Sequence, residues 1–400
     1  MYKSIIINID ELWLKGRNRK YYFKTLRDHV KLVLKAHAKE QVMELKNEQQ
    51  RLVARSESGF TNDAIQSLVK VPGISSIQPA ISIAKDKDLI LPTLIEKLDQ
   101  ELDKSVTTTF KVKSKRVDKT FPHNSLDLAR ELGHLLLKKF SCLKVNVKNP
   151  DIMIDIKVMQ DSILISTEKF TATGGLPVLT SGNVVTMISG GFDSPVASYM
   201  MSKRGCRQDF IFFYAYPYVG DEVKEKIIKI CEVLSQYQRG CRLYVVPFGE
   251  VQNRIAKDCH EEYRTILFRK YMVQTANYLA DRIKGDAILT GDALGQVSSQ
   301  TMRNMSVMDS CSRKIILRPL VGFNKLEIIK LAQKIGTHDI SIIPHDDACS
   351  LFSPKHPVIK ADFKYMNSYH EENDYSELLK KCLDEAEVYK FDVLGEYEEL

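Results

Sequence analysis

Val184-Val185-Thr186-Met187-Ile188 is an apolar, β-branched run that ends in Ser189-Gly190-Gly191-Phe192-Asp193-Ser194-Pro195. Two adjacent glycines let a backbone approach a polyanion closely, and the free N–H groups opening the next helix point at it. Pro195 suits a first helical turn, where its missing N–H is not needed. The string lacks the Gly-Lys-Ser/Thr ending of a Walker loop, so no lysine comes with it. A ligand-free Gly-Gly turn is the competing reading, and the added Asp193 and Ser194 weigh against it. This spacing fits phosphate binding.

A second string, Thr290-Gly291-Asp292-Ala293-Leu294-Gly295-Gln296-Val297-Ser298-Ser299-Gln300-Thr301, is dense in small and amide side chains. Small residues let a ligand lie on backbone, and each glutamine offers a donor and an acceptor to a base or ribose. Lys325 follows Asn324, a helix-cap residue, and as a cap-proximal lysine it is equally consistent with plain surface. Eight cysteines are scattered without a C-x-x-C pair, which gives no support for zinc or an iron–sulfur cluster. Free cysteines are most often packing residues. Cys349 differs in lying in a polar loop between Pro344 and Pro354, but counting alone does not say which thiol is a nucleophile.

The elements that must position these residues read as follows. Ser4–Ile9 is a strand, the basic stretch 14–20 a turn, and the apolar spacing from Phe23 to Leu34 a helix. Arg51–Arg55 and a helix near Ala64–Val69 complete a small α+β unit. In a second unit, Phe110–Arg116 alternates, with Lys111, Lys113 and Lys115 on one face; alone this is as well explained by a solvated edge strand. Ser125 opens a helix that Gly133 ends, and strands Asp151–Met159 and Ser162–Ser166 follow. Thr173–Pro177 is a linker. Beyond it, buried strands Val184–Ile188, Phe210–Tyr214, Leu243–Val246 and Ala287–Thr290 alternate with helices, the rhythm of a doubly wound parallel α/β domain. In the tail, Leu378, Leu379, Cys382, Leu383 and Ala386 share one face of a peripheral helix.

Four hundred residues predict two to three domains, and 44% apolar with 27% charged residues exclude intrinsic disorder. Apolar runs are too short for a membrane span, and the N-terminus lacks a signal-peptide pattern, so the expected location is cytoplasmic. Residues 1–180 hold 30 Lys and Arg against 21 Asp and Glu, whereas residues 371–400 hold 3 against 11. A basic body with an acidic tail points to nucleic acid better than the net +7 does.

The Ser-Gly-Gly-x-Asp-Ser string resembles the PP-loop of ATP pyrophosphatases. Together with 290–301, Leu317-Arg318-Pro319-Leu320, Asn324-Lys325-Leu326-Glu327-Ile328-Ile329 and Ile335-Gly336-Thr337-His338-Asp339-Ile340-Ser341-Ile342, it resembles the ThiI family, the tRNA 4-thiouridine synthetases. The likeness runs from Leu14–Arg19 to about residue 357. It implies an N-terminal ferredoxin-like α+β domain (1–70), a THUMP α+β RNA-binding domain (71–170) and a doubly wound parallel α/β PP-loop ATP pyrophosphatase domain (171–400). It also implies ATP and Mg²⁺, tRNA as partner, a homodimer, and sulfur placed at O4 of uridine 8 through an adenylate. By family position, Met187, Ile188, Phe212, Phe213, Arg269, Gly291 and Gln300 line the ATP site. Ser189, Gly190, Gly191 and Ser194 cradle phosphates, Asp193 orients pyrophosphate, Lys325 serves adenylation, and Cys349 carries sulfur. The resemblance turns Lys111, Lys113, Lys115 and Arg116 toward RNA.

The chain departs from the family in three places. Ala348-Cys349 stands where many relatives have two cysteines. Asp292 replaces a glutamate, a shortening that solvent or metal contact would tolerate. No rhodanese domain is expected after residue 400, so a cysteine desulfurase or another persulfide donor is expected to supply Cys349. Cys382 is expected to be packing rather than a resolving thiol. The alternative reading keeps the PP-loop and sulfurates a carrier protein for thiamine thiazole synthesis.

Overall fold

The computed structural model describes residues 2–37, 43–48, 51–344 and 354–400. Two compact units emerge, Met1–Arg19 with Val30–Gly175 and Lys20–His29 with Leu176–Leu400. No helix among the described residues is long and apolar enough to cross a membrane.

The first stretch of chain forms β1 (Tyr2–Ile9), α1 (Arg19–His37), β2 (Met43–Glu48), β3 (Arg51–Phe60), α2 (Asn62–Lys70) and β4 (Ile74–Ala84). It continues through α3 (Ile90–Glu101), β5 (Thr108–Arg116), α4 (Ser125–Lys139), β6 (Leu143–Val145), β7 (Ile152–Val158), β8 (Ser162–Ser166) and β9 (Phe170–Thr171). One sheet runs β2-β3-β1-β4-β8-β7-β5-β6, with β9 on β4. The eleven-residue β4 joins its halves: Ile74–Ala80 pairs with β1, and Ile81–Ala84 pairs with β8. Helices α3 and α4 bury Leu94, Leu98, Leu128, Leu132 and Leu136 against Phe110, Ile154, Ile156 and Ile163. Phe110 therefore faces the helices, and period-two alternation puts Lys111, Lys113 and Lys115 on the opposite face.

Here the structure corrects two expectations. Helix α4 does not end at Gly133 but runs on to Lys139, capped by Asn124 rather than Ser125; the Asn124 side chain accepts from the N–H groups of Leu126 and Asp127. Burying Leu132 and Leu136 is worth about 2 kcal/mol each, which exceeds the roughly 1 kcal/mol cost of a mid-helix glycine. The basic stretch read as a turn is a pair of tight 3₁₀ turns over Glu11–Asn18, broken at Gly16 (φ 51°) before α1.

The second stretch forms β10 (Asn183–Met187), α5 (Asp193–Lys203), β11 (Arg207–Tyr214), α6 (Asp221–Ser235), β12 (Cys241–Pro247), α7 (Gly249–Asp258), α8 (Arg264–Ile283) and β13 (Ala287–Leu289). Then come α9 (Met302–Ser310), β14 (Ile315–Leu317), α10 (Lys325–Ile335), α11 (His338–Ser341), α12 (Phe363–Glu372), α13 (Ser376–Asp384), β15 (Glu387–Phe391) and β16 (Tyr397–Glu399). Strand order is β14-β13-β10-β11-β12-β15-β16. The first five are parallel, and β15 and β16 add antiparallel. Both faces are covered: Val184, Val196, Ile227 and Ile328 share one core, and Val185, Phe268, Leu279 and Leu379 the other.

Chain order reverses at β10, which lies between β11 and β13. In such sheets the ligand crevice opens beyond the carboxyl ends of the strands at that reversal. The loops after β10 and β13 both leave from there.

The tail helix α13 buries Leu379, Cys382 and Leu383 as its pattern requires, but it ends at Asp384, before Ala386. Beyond it the chain returns to the sheet as β15 and β16, which the acidity of the tail obscured. Tyr389 and Phe391, alternating with Lys390, are the buried side of β15. Strand β14 was likewise hidden, because the place of Ile315–Leu317 is set by the β13 edge it pairs with.

Candidate active site

The glycine loop after β10 is stitched by its own serines. The Ser189 N–H donates to Ser194 Oγ at 2.8 Å, the two hydroxyls lie 2.9 Å apart, and Ser341 Oγ donates to Gly191 O at 3.2 Å. A Cβ on Gly191 would meet nothing within 4 Å, so this loop borders open space. Gly291 is the reverse case. A Cβ there would lie 2.5 Å from Ser194 N and 2.8 Å from Asp193 C, so the β13 loop packs directly on the first turn of α5. That is why the position takes glycine.

Asp193, the first residue of α5, is held from two directions. Lys325 Nζ reaches both carboxylate oxygens at 2.8 and 3.0 Å, and Gln296 Nε2 donates to Oδ2 at 2.9 Å. The Lys325 ammonium also lies 5.4 Å from the Phe192 ring centre, and Phe192 stacks on His338 at 5.5 Å. Helix α10 brings Lys325 there through a capping box, Asn324 accepting from the Glu327 N–H while Glu327 accepts from the Asn324 N–H. The structure thus joins Asp193 and Lys325. The amide-rich string marked Gln296 only as a partner for a base or ribose, whereas here it holds Asp193.

Asp292 corrects an expectation. Its carboxylate does not face solvent but is 3% exposed, between Arg269 and Arg318. Thr290 Oγ1 donates to it at 2.8 Å and Gln300 Nε2 at 3.4 Å. Burial alone would raise the Asp292 carboxyl; the Arg269 charge, with Thr290 and Arg318, overcomes it and holds the group below its ordinary value. Arg269 also donates to Ser299 Oγ at 2.9 Å, and Arg318 to Asp309 at 2.7 Å. Gln300 Oε1 and Arg318 Nη2 are buried with no protein partner among the described residues. These are one acceptor and one donor in wait beside the loop.

Ile188 is buried and Met187 half-buried, both on β10 or its end. The side chains of Phe212 and Phe213 enter opposite cores, so what β11 offers a ligand at these positions is its main chain. Of the residues expected to hold ATP, Asp193, Ser194, Arg269, Gly291 and Gln300 meet at the β10 and β13 loops, whereas Phe212 and Phe213 lie on β11. Cys349 lies outside the described residues. Burial pushes the Cys382 thiol up to about 11, as suits a packing residue.

In the other unit, Lys113 and Lys115 are exposed on β5, while Lys111 Nζ donates to Val147 O and Arg116 Nη1 to Phe121 O. Register sets Lys113 beside Asp155 and Lys115 beside Lys157. Lys157 is buried; its ammonium reaches Asp155 at 3.0 Å and donates to Gln78. Burial lowers the Lys157 pKa, Asp155 opposes that, and the Arg51 and Lys113 charges add to it. This face of the sheet carries more positive charge than it neutralises.

The chain matches the family described as thiamine biosynthesis protein (ThiI) over residues 179–375, the THUMP domain over 91–168 and the ThiI ferredoxin-like domain over 4–78. It is 36% identical over 386 residues to the "Probable tRNA sulfurtransferase" of Caldanaerobacter subterraneus subsp. tengcongensis, covering 96% of this chain and 99% of that one. It is 37% identical over 392 residues to the protein of the same name from Geobacillus kaustophilus, covering 98% and 96%. A crystal structure of a 4-thiouridine synthetase–RNA complex with bound ATP superposes with a TM-score of 0.86 at 30% identity, covering 98% of this chain and all of that one. PH1313 from Pyrococcus horikoshii shares the fold at 22% identity and a TM-score of 0.64. With its loop architecture, its two units and this full-length likeness, the chain belongs to the ThiI family of tRNA sulfurtransferases.

Proposed function

We propose that this protein is an ATP-dependent tRNA sulfurtransferase that makes 4-thiouridine at position 8. The observation that carries the reading is the Asp193–Lys325 pair at the mouth of a glycine loop, placed where the parallel sheet reverses its strand order. The open side of Gly191 and the orphan donor and acceptor of Arg318 and Gln300 suit a nucleotide. Magnesium binds through one or two carboxylates plus substrate phosphates. Asp193 is the carboxylate at the loop, so it would hold the ion on the triphosphate.

A uracil O4 is a poor leaving group. Its attack on the α-phosphorus of ATP expels pyrophosphate and leaves an adenylate at C4. The loop N–H groups and the α5 N-terminus hold the phosphates, and Lys325 stabilises charge growing at the α-phosphate. The terminal sulfur of a Cys349 persulfide then bonds to C4, and AMP departs with the former O4. A second thiol, from the donor protein or a thiol reductant, attacks Cys349 Sγ, forms a disulfide with it and releases the thiouridine. Division into domains 1–70, 71–170 and 171–400 assigns tRNA binding to the Lys111–Arg116 face, and a desulfurase or another persulfide donor loads Cys349. A homodimer is part of this reading.

Cys349→Ser separates the two half-reactions. It should abolish thiolation while tRNA-stimulated pyrophosphate release persists, and unchanged thiolation would remove Cys349 from the mechanism.

A further inference from the structure

Away from the glycine loop, α8, the end of α9 and α12 enclose a cleft of about 550 Å³. Its walls include Lys270, Arg313, Tyr278, Phe363, Asn367 and His370, and no carboxylate lines it among the described residues. Lys270 is the unusual member. It is 3% exposed, and its ammonium donates to the Met366 carbonyl at 3.0 Å. Among the described residues no carboxylate lies within ion-pair distance of it. Buried lysines are ordinarily paired. Burial lowers the Lys270 pKa, and its charge acts on two neighbours in the same cleft. It adds to burial in lowering His370, against the opposing charges of Asp374 and Glu371 nearby, and it partly offsets the burial that raises the Cys311 thiol. His370 Nδ1 is itself buried without a protein partner.

This is a different place from the ATP loop, although it uses the same helix. Arg269 meets Asp292 and Ser299, whereas Lys270, one step around α8, meets Met366 on α12. The rest of the lining narrows the ligand. Tyr278 and Phe363 are half-exposed rings, Asn367 offers both a donor and an acceptor, and Arg313 lies over Tyr278 at 5.6 Å while pairing with Asp281. A buried cation wants an anion, rings want a flat partner, and the volume is within the ordinary range for small-molecule pockets.

We propose that this cleft is a second phosphate-binding site, which takes one nucleotide with its phosphate on Lys270 and its base against Tyr278 or Phe363. The nucleotide is either free or one unit of an RNA chain.

Calorimetry with uridine 5′-monophosphate and with inorganic phosphate tests this, using the full chain with its ATP loop filled by a non-hydrolysable ATP analogue. The wild type should bind the monophosphate, and Lys270→Met and Asn367→Asp should each weaken it about tenfold or more, as loss of a charge-assisted contact or an added like charge implies. Affinity for the ATP analogue should not change. Asn367 is exposed, so its variant carries the test if Lys270→Met fails to fold. Displacement by a short single-stranded RNA identifies the RNA source, and failure to displace identifies the free nucleotide. No binding of either probe, or binding unaffected by Asn367→Asp, overturns the proposal. Neither outcome touches the reading of the ATP loop.

Discussion

Asp193 shares one carboxylate between Lys325 and Gln296, and the two partners should fail differently. Lys325→Met removes a charge aimed at the phosphates and should cut tRNA-stimulated pyrophosphate release by about 10²–10³-fold without unfolding a half-exposed position. Gln296→Ala leaves the charges in place and only frees Asp193 to turn, so release should fall about tenfold with ATP affinity nearly unchanged. Asp292 answers to acid. Its folded pKa lies below its ordinary 3.8, so its contribution to stability is complete above pH 3.8 and is lost as pH falls through the lower folded value. Asp292→Ala should cost about 3 kcal/mol at neutral pH by stranding Arg269 and Arg318, and its acid unfolding curve should be flatter below pH 4. The turn that carries Ser189, Gly190, Gly191 and Asp193 was legible in the sequence because a strand–turn–helix string is local. The burial of Asp292 was not, since both its arginines come from elements far away in the chain.

At the scale of elements, two glycines make opposite predictions. Gly291→Ala forces a Cβ to within 2.5 Å of the Ser194 backbone, so it should displace the first turn of α5 and weaken ATP binding. Gly133→Ala meets only Val112 Cγ2 at 3.9 Å, an ordinary contact inside a helix, and should raise stability by about 0.5–1 kcal/mol in chemical denaturation. The parallel strands β10 to β13 were readable because each is an apolar run followed by a helix. Strands β14, β15 and β16 were not. Their place is set by the edge they pair with.

For the whole molecule, the uneven charge of the chain becomes a prediction about salt. Lys113→Glu with Lys115→Glu should weaken tRNA binding for all tRNA sequences alike, and it should flatten the dependence of affinity on salt concentration. ATP hydrolysis without tRNA should be unaffected. The central claim concerns what leaves the active site. Mass spectrometry of nucleosides from tRNA, taken from cells lacking this protein and from cells restored with wild type or Cys349→Ser, reads it directly. The account predicts that 4-thiouridine vanishes without the protein, returns with the wild type and stays absent with Cys349→Ser. Undiminished 4-thiouridine in the cells lacking it would contradict the account.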